Sequence, residues 1–194
     1  MRRDRAFSRD SLLTLAAIAV SAAGLAACIT LVNLASTVVM ELGGFVAIGG
    51  PYEIAHPAPG WIVLMPISIV SGFAFGGLSL WASSRVDGYN LIPAVWTGLF
   101  VSLGVQFAYF GLRPPGGGGP AWAWIVCAVV FIPMGLAQAK GVVTGTSSFF
   151  PKTHAPRDGA YQDKTYRTVY LALVVLGALL GVVGGILLFR AVAG

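Results

Sequence analysis

The sequence predicts an all-α integral membrane protein: five transmembrane helices in one bundle, with the N-terminus cytoplasmic and the C-terminus outside. Three observations predict it. The 194-residue chain is 57% hydrophobic and 10% charged, against about 45–50% and about 25% in an ordinary soluble domain. Five apolar stretches reach the roughly 20 residues needed to cross a hydrocarbon core of about 30 Å. The 12 Lys and Arg are also distributed unevenly about those stretches.

The spans fall at 11–38, 61–82, 91–112, 121–140 and 168–190, inside a single bundle over 1–194. No separate soluble domain of about 50 residues or more fits between them. With the N-terminus inside, 39–60 and 113–120 are outer loops, and 83–90 and 141–167 are cytoplasmic. Ten cations, Arg2, Arg3, Arg5, Arg9, Arg85, Lys140, Lys152, Arg157, Lys164 and Arg167, then face the cytoplasm, whereas Arg113 and Arg190 face outward. That is the excess expected of short cytoplasmic connections. It also explains the pI near 9.6 without a basic soluble face, so no nucleic-acid partner is expected.

The first span follows MRRDR and passes through Leu25-Ala26-Ala27-Cys28, the pattern of a bacterial lipoprotein signal acylated at Cys28. Apolar character continues beyond Cys28 through ITLVNLASTVVM, where a mature lipoprotein would begin a polar tether. The stretch therefore reads as a span. Cys28 and Cys127 both lie in apolar runs, which favours neither a metal thiolate nor a surface disulfide.

The first outer loop contains GGPYEIAHPAPGW, residues 49 to 61. Glu53 and His56 have the Glu-x-x-His spacing that supplies half of a carboxylate-bridged di-iron site. No second copy occurs. Pro57 and Pro59 bias the residues before them toward extended backbone, which opposes the helical turn such ligands require. A stiff connection with Tyr52 and Trp61 at headgroup level is the favoured reading.

The second span carries Ser68, Gly72 and Gly76, and the fifth carries Gly177, Gly181 and Gly185 with Gly184 beside them. Small residues four apart let helix backbones approach closely, and lipid offers no hydrophobic drive to replace that packing. Pro93 and Pro120 fall at helix starts, whereas Pro66 and Pro133 are expected inside spans two and four as kinks. Tyr52, Trp61, Tyr109, Trp122 and Trp124 are expected to mark the outer interface, and Trp81, Tyr89, Tyr166 and Tyr170 the inner one.

No ionisable residue lies near the middle of any span, which disfavours a midplane carboxylate pump. His56 and His154 sit in loops on opposite sides, which disfavours a haem held by two histidines. GGGG at 116–119 lacks the Lys-Ser/Thr ending of a phosphate-binding loop. No catalytic residue, metal or cofactor is expected. Asn33, Gln106 and Gln138 enter spans and Glu41 lies at the outer edge of the first. Asn33, Glu41, Glu53, His56, Gln106 and Tyr109 form a candidate outward polar cluster. Segment 141–167 has basic residues interleaved with Asp158 and Asp163, so it is a weak anionic-lipid patch.

The leading expectation is a non-catalytic integral membrane subunit that packs with a larger membrane complex and stabilises or tethers it. Its partners would be the lipid bilayer and other membrane subunits, and its setting a prokaryotic inner membrane. An alternative is a small transporter or channel entered through Asn33, Glu41 and Gln106. A second alternative is a membrane enzyme or cofactor-binding subunit using Glu53 and His56.

Overall fold

A computed structural model describes residues 8–42, 59–86, 88–115, 117, 119–144 and 160–194. Helix α1 spans Arg9–Glu41, α2 Leu64–Val86, α3 Ile92–Leu112, α4 Trp122–Thr144 and α5 Lys164–Ala193. One 3-10 turn, Gly60–Val63, leads into α2, and another, Ala160–Gln162, precedes α5. Among the described residues there are no strands. All five helices are long and apolar enough to cross a membrane, which suggests a multi-pass membrane protein.

Polar caps set several helix ends. Ser8 Oγ accepts from Ser11 N at 3.2 Å to start α1, and Asn90 Oδ1 accepts from Ile92 N at 2.9 Å to start α3, with Pro93 in its first turn. Asp163 Oδ1 accepts from Thr165 N at 2.8 Å and from Tyr166 N at 3.0 Å to start α5. These bonds satisfy amides that have no partner within their own helix. Helices α1 and α5 consequently begin before the apolar runs of the sequence, because a capped polar turn starts a helix without adding hydropathy, and α4 continues past its run to Thr144. Pro133 lies inside α4. Pro66 instead sits in the first turn of α2, directly after the 3-10 turn, where a missing N–H interrupts no established ladder.

Helix α1 is the common wall. Helices α5, α2 and α3 pack against it, and α4 packs on α3. Of the most apolar 18-residue window of α1, 44% is buried within the bundle, against 17–22% for the other helices. Contacts give the direction of each helix. Along α5, Tyr166 meets Ser11, Gly177 meets Ala19 and Ala22, Gly181 meets Ala23, and Gly185 meets Ala27 and Thr30, so α5 runs parallel to α1. Helix α2 is antiparallel: Val86 packs near Leu15, Phe75 covers Gly24, and Gly72 lies beside Cys28. Helix α3 returns parallel to α1, with Leu91 in the cluster of Leu15 and Phe110 in that of Met40. Helix α4 is antiparallel to α3, with Ile125 against Gly111 and Ile132 against Gly104. This alternation puts Arg9 and Ala193 at opposite ends of the bundle.

The α1–α5 contact is a backbone contact. A Cβ on Gly177 would stand 2.7 Å from the Ala19 carbonyl oxygen, and one on Gly181 would overlap the Ala23 carbonyl. Neither obstacle is a flexible side-chain tip. Gly184, one residue from this face, has nothing within 4 Å of where its Cβ would be. Gly181→Leu is therefore expected to destabilise the bundle by about 1–3 kcal/mol, the usual cost of overpacking. Gly184→Leu should be close to neutral, and reversible unfolding in mixed detergent micelles compares the two.

Candidate functional site

Asn33 is held on α1 by its own helix. Its Nδ2 donates to the Ile29 carbonyl at 2.9 Å, which leaves Oδ1 to face a neighbour. Thr30 and Thr37 behave alike, donating to Ala26 O at 2.8 Å and to Asn33 O at 2.9 Å. Such bonds to the preceding turn let polar side chains sit in an apolar helix without orphaned hydroxyls.

The parallel register of α3 brings Gln106 opposite. Its Nε2 donates to Asn33 Oδ1 at 2.9 Å and, at 3.3 Å, to the Asn33 carbonyl. Gln106 Oε1 is buried and has no hydrogen-bond partner. The pair is neutral and its donors are engaged, so it contains neither a proton of useful acidity nor a nucleophile. Its chemistry is that of an interhelical clasp with one spare acceptor.

Of the rest of the candidate cluster, the two described residues make no hydrogen bond to this pair. Glu41 is the last residue of α1 and is exposed, about 12 Å along the axis from Asn33 at 1.5 Å per residue. Tyr109 is 55% exposed, with its ring edge-on to Phe110 at 5.1 Å between centroids. Glu53 and His56 lie outside the described residues. Among the described residues, no group of three or more His, Cys, Asp or Glu is positioned to hold a metal. Gln138 is buried on α4. Ser68, Gly72 and Gly76 lie along α2, with Ser68 buried, Gly72 beside Cys28, and Gly76 next to Ile92.

A second polar locus was not visible as such in the sequence. Tyr166 and Tyr170 are fully buried. Tyr166 donates its hydroxyl to the Ser11 carbonyl at 3.0 Å, and Tyr170 donates to the Tyr89 carbonyl at 2.8 Å. Tyr161 meets Tyr170 edge-on, with ring centroids 5.1 Å apart. Burial, and then the neighbouring Tyr161, push the Tyr89 hydroxyl above the usual tyrosine range, so it stays protonated. Tyr166 and Tyr170 therefore join elements as buried posts and do not mark an interface; Trp124 is likewise buried. The signal was periodic: Tyr166, Tyr170, Gly177, Gly181, Gly185 and Phe189 are the buried residues of α5, and their spacings of four and seven place them on one stripe.

The clasp predicts an asymmetry between its two halves. Asn33→Ala leaves a buried Gln106 carboxamide short of an acceptor and should cost about 1–3 kcal/mol. Gln106→Leu removes the orphan Oε1 while leaving Asn33 Oδ1 without its donor, so the number of orphan acceptors is unchanged and its cost should be smaller, near the average of about 0.6 kcal/mol for membrane interhelical hydrogen bonds. Unfolding measurements on both single variants check the order. Comparison with protein-family models, curated proteins and solved structures finds no match to this chain.

Proposed function

We propose that the chain is a non-catalytic integral membrane subunit that packs with other membrane proteins and stabilises or tethers their assembly. In this reading it crosses a prokaryotic inner membrane five times, with Arg9 on the cytoplasmic side and Ala193 outside. The orientation rests on charge: among the described residues Arg9, Arg85, Lys140, Lys164 and Arg167 lie toward the Arg9 end, against Arg113 and Arg190 at the other, the excess that cytoplasmic connections carry.

The open arrangement of the helices carries the proposal. Helix α4 packs mainly on α3, and α5 mainly on α1, so neither closes a ring around a central path. Trp122, Val126, Val129 and Val130 remain exposed on α4, and Leu176, Leu180, Val183 and Leu187 on α5. Lipid solvates such faces adequately, and so does another apolar helix, since association in a membrane turns on packing. A neutral polar clasp between α1 and α3 suits a scaffold, because its interhelical hydrogen bond fixes register.

Gentle extraction followed by native mass measurement tests the reading. The expected result is co-purification with other membrane polypeptides in defined stoichiometry. A monodisperse, isolated five-helix monomer from the same membranes contradicts it. The unpartnered Gln106 Oε1 favours one second reading, a polar pathway entered near Asn33, Glu41 and Gln106. That reading requires solute flux in reconstituted vesicles that falls in Gln106→Leu or Glu41→Gln; flux unchanged in both removes it.

A further inference from the structure

We propose that the Arg9 end of the bundle binds anionic phospholipid headgroups through Arg9, Arg85, Lys164 and Arg167. The inference needs the chain to be membrane-embedded, but it does not depend on partner subunits. Three helix ends converge there. Tyr166, at the start of α5, is bonded to Ser11 in the first turn of α1, and Val86, the last residue of α2, packs in one cluster with Leu15, Tyr166 and Tyr170. The four cations thus surround a single rigid core instead of hanging from separate loops.

Their charges are not consumed internally. Among the described residues, none of the four forms an ion pair with a carboxylate. Two carboxylates share this end in the described structure, and both lie at helix starts. Asp163 is committed to the Thr165 and Tyr166 amides, and Asp10 occupies the first turn of α1, where a negative charge complements the helix dipole. Interleaved acids make a sequence segment look neutral. Here the Asp163 charge is directed at its own helix, leaving Lys164 and Arg167, both exposed, three residues apart on one helix face.

Arg85 supplies the depth. Its guanidinium lies 4.9 Å from the Trp81 ring centroid, and Trp81 is 45% exposed. An exposed indole at a span end settles at headgroup level, and the stacked guanidinium is then held where lipid phosphates are found, with its donor edge free for them. The opposite end differs: among the described residues it carries only the cations Arg113 and Arg190, beside the carboxylate of Glu41.

The test is lipid retention by the purified protein from nanodiscs made of equal parts phosphatidylglycerol and phosphatidylcholine, read by native mass spectrometry. The expected result is selective retention of phosphatidylglycerol, weakened about fivefold for each cation neutralised at low salt. Arg85→Gln alone should show this effect, and the combined Arg9→Gln, Arg85→Gln, Lys164→Gln and Arg167→Gln variant should lose selectivity. Arg113→Gln with Arg190→Gln, at the other end, should retain it. The proposal is overturned by equal retention of both lipids in the wild type, by undiminished selectivity in the four-site variant, or by an equal loss in the Arg113 and Arg190 pair. Unchanged thermal unfolding of each variant separates lost binding from lost fold.

Discussion

The bundle depends on how closely other helices can approach α1. In hydrocarbon there is no hydrophobic drive between apolar helices, so dispersion and a few hydrogen bonds must hold them together, and both fall steeply with distance. Helix α1 meets this constraint with Ala19, Ala22, Ala23, Gly24 and Ala27, which offer backbone on several faces. Helix α5 answers with Gly177, Gly181 and Gly185, and α2 with Gly72 and the Phe75 ring over Gly24. Once α5 is seated, Tyr166 and Tyr170 must fall beside Ser11 and Tyr89. The packed centre therefore organises the Arg9 end as well.

The same constraint separates what is held from what is left open. Helix α3 reaches α1 through the Gln106 and Asn33 clasp and through Leu91 and Phe110 near its two ends, then passes α4 outward on its other side. Along that second contact Gly104, Gly111 and Gly135 admit Ile132, Ile125 and Val101, and Thr97 Oγ1 donates to the Gly135 carbonyl at 3.1 Å. The outcome is a fan around one helix, with apolar faces at its margins and cations gathered at one end.

Much of this was legible in the sequence because bilayer thickness sets a length that hydropathy reports directly. All five helices stand where the apolar runs do, and their ends differ because caps such as Ser8 and Asp163 act through geometry. The candidate site was legible only in part. Asn33 and Gln106 meet, but Glu41 and Tyr109, assigned to the same leaflet, do not join them, since Glu41 stands about two turns beyond Asn33 and the Tyr109 side chain is exposed. Tyr166 and Tyr170 illustrate the reverse error. Composition places tyrosines near span ends at an interface, whereas their common stripe with Gly177 and Phe189 puts them inside. Register between helices, which composition does not encode, decides each case.

The claim that α1 is the common wall is tested most directly at its contact with α2. A Cβ introduced at Gly72 would lie 4.0 Å from the Cys28 Cβ, within the roughly 3.5–4.5 Å that a disulfide spans. With Cys127→Ser removing the other thiol, Gly72→Cys oxidised in native membranes should form an intrachain bond that protects both cysteines from maleimide added after unfolding in sodium dodecyl sulfate, until reduction. Gly77→Cys, at a position with nothing within 4 Å, should leave them reactive. Free thiols in the Gly72→Cys protein, or equal protection in both variants, would contradict the account.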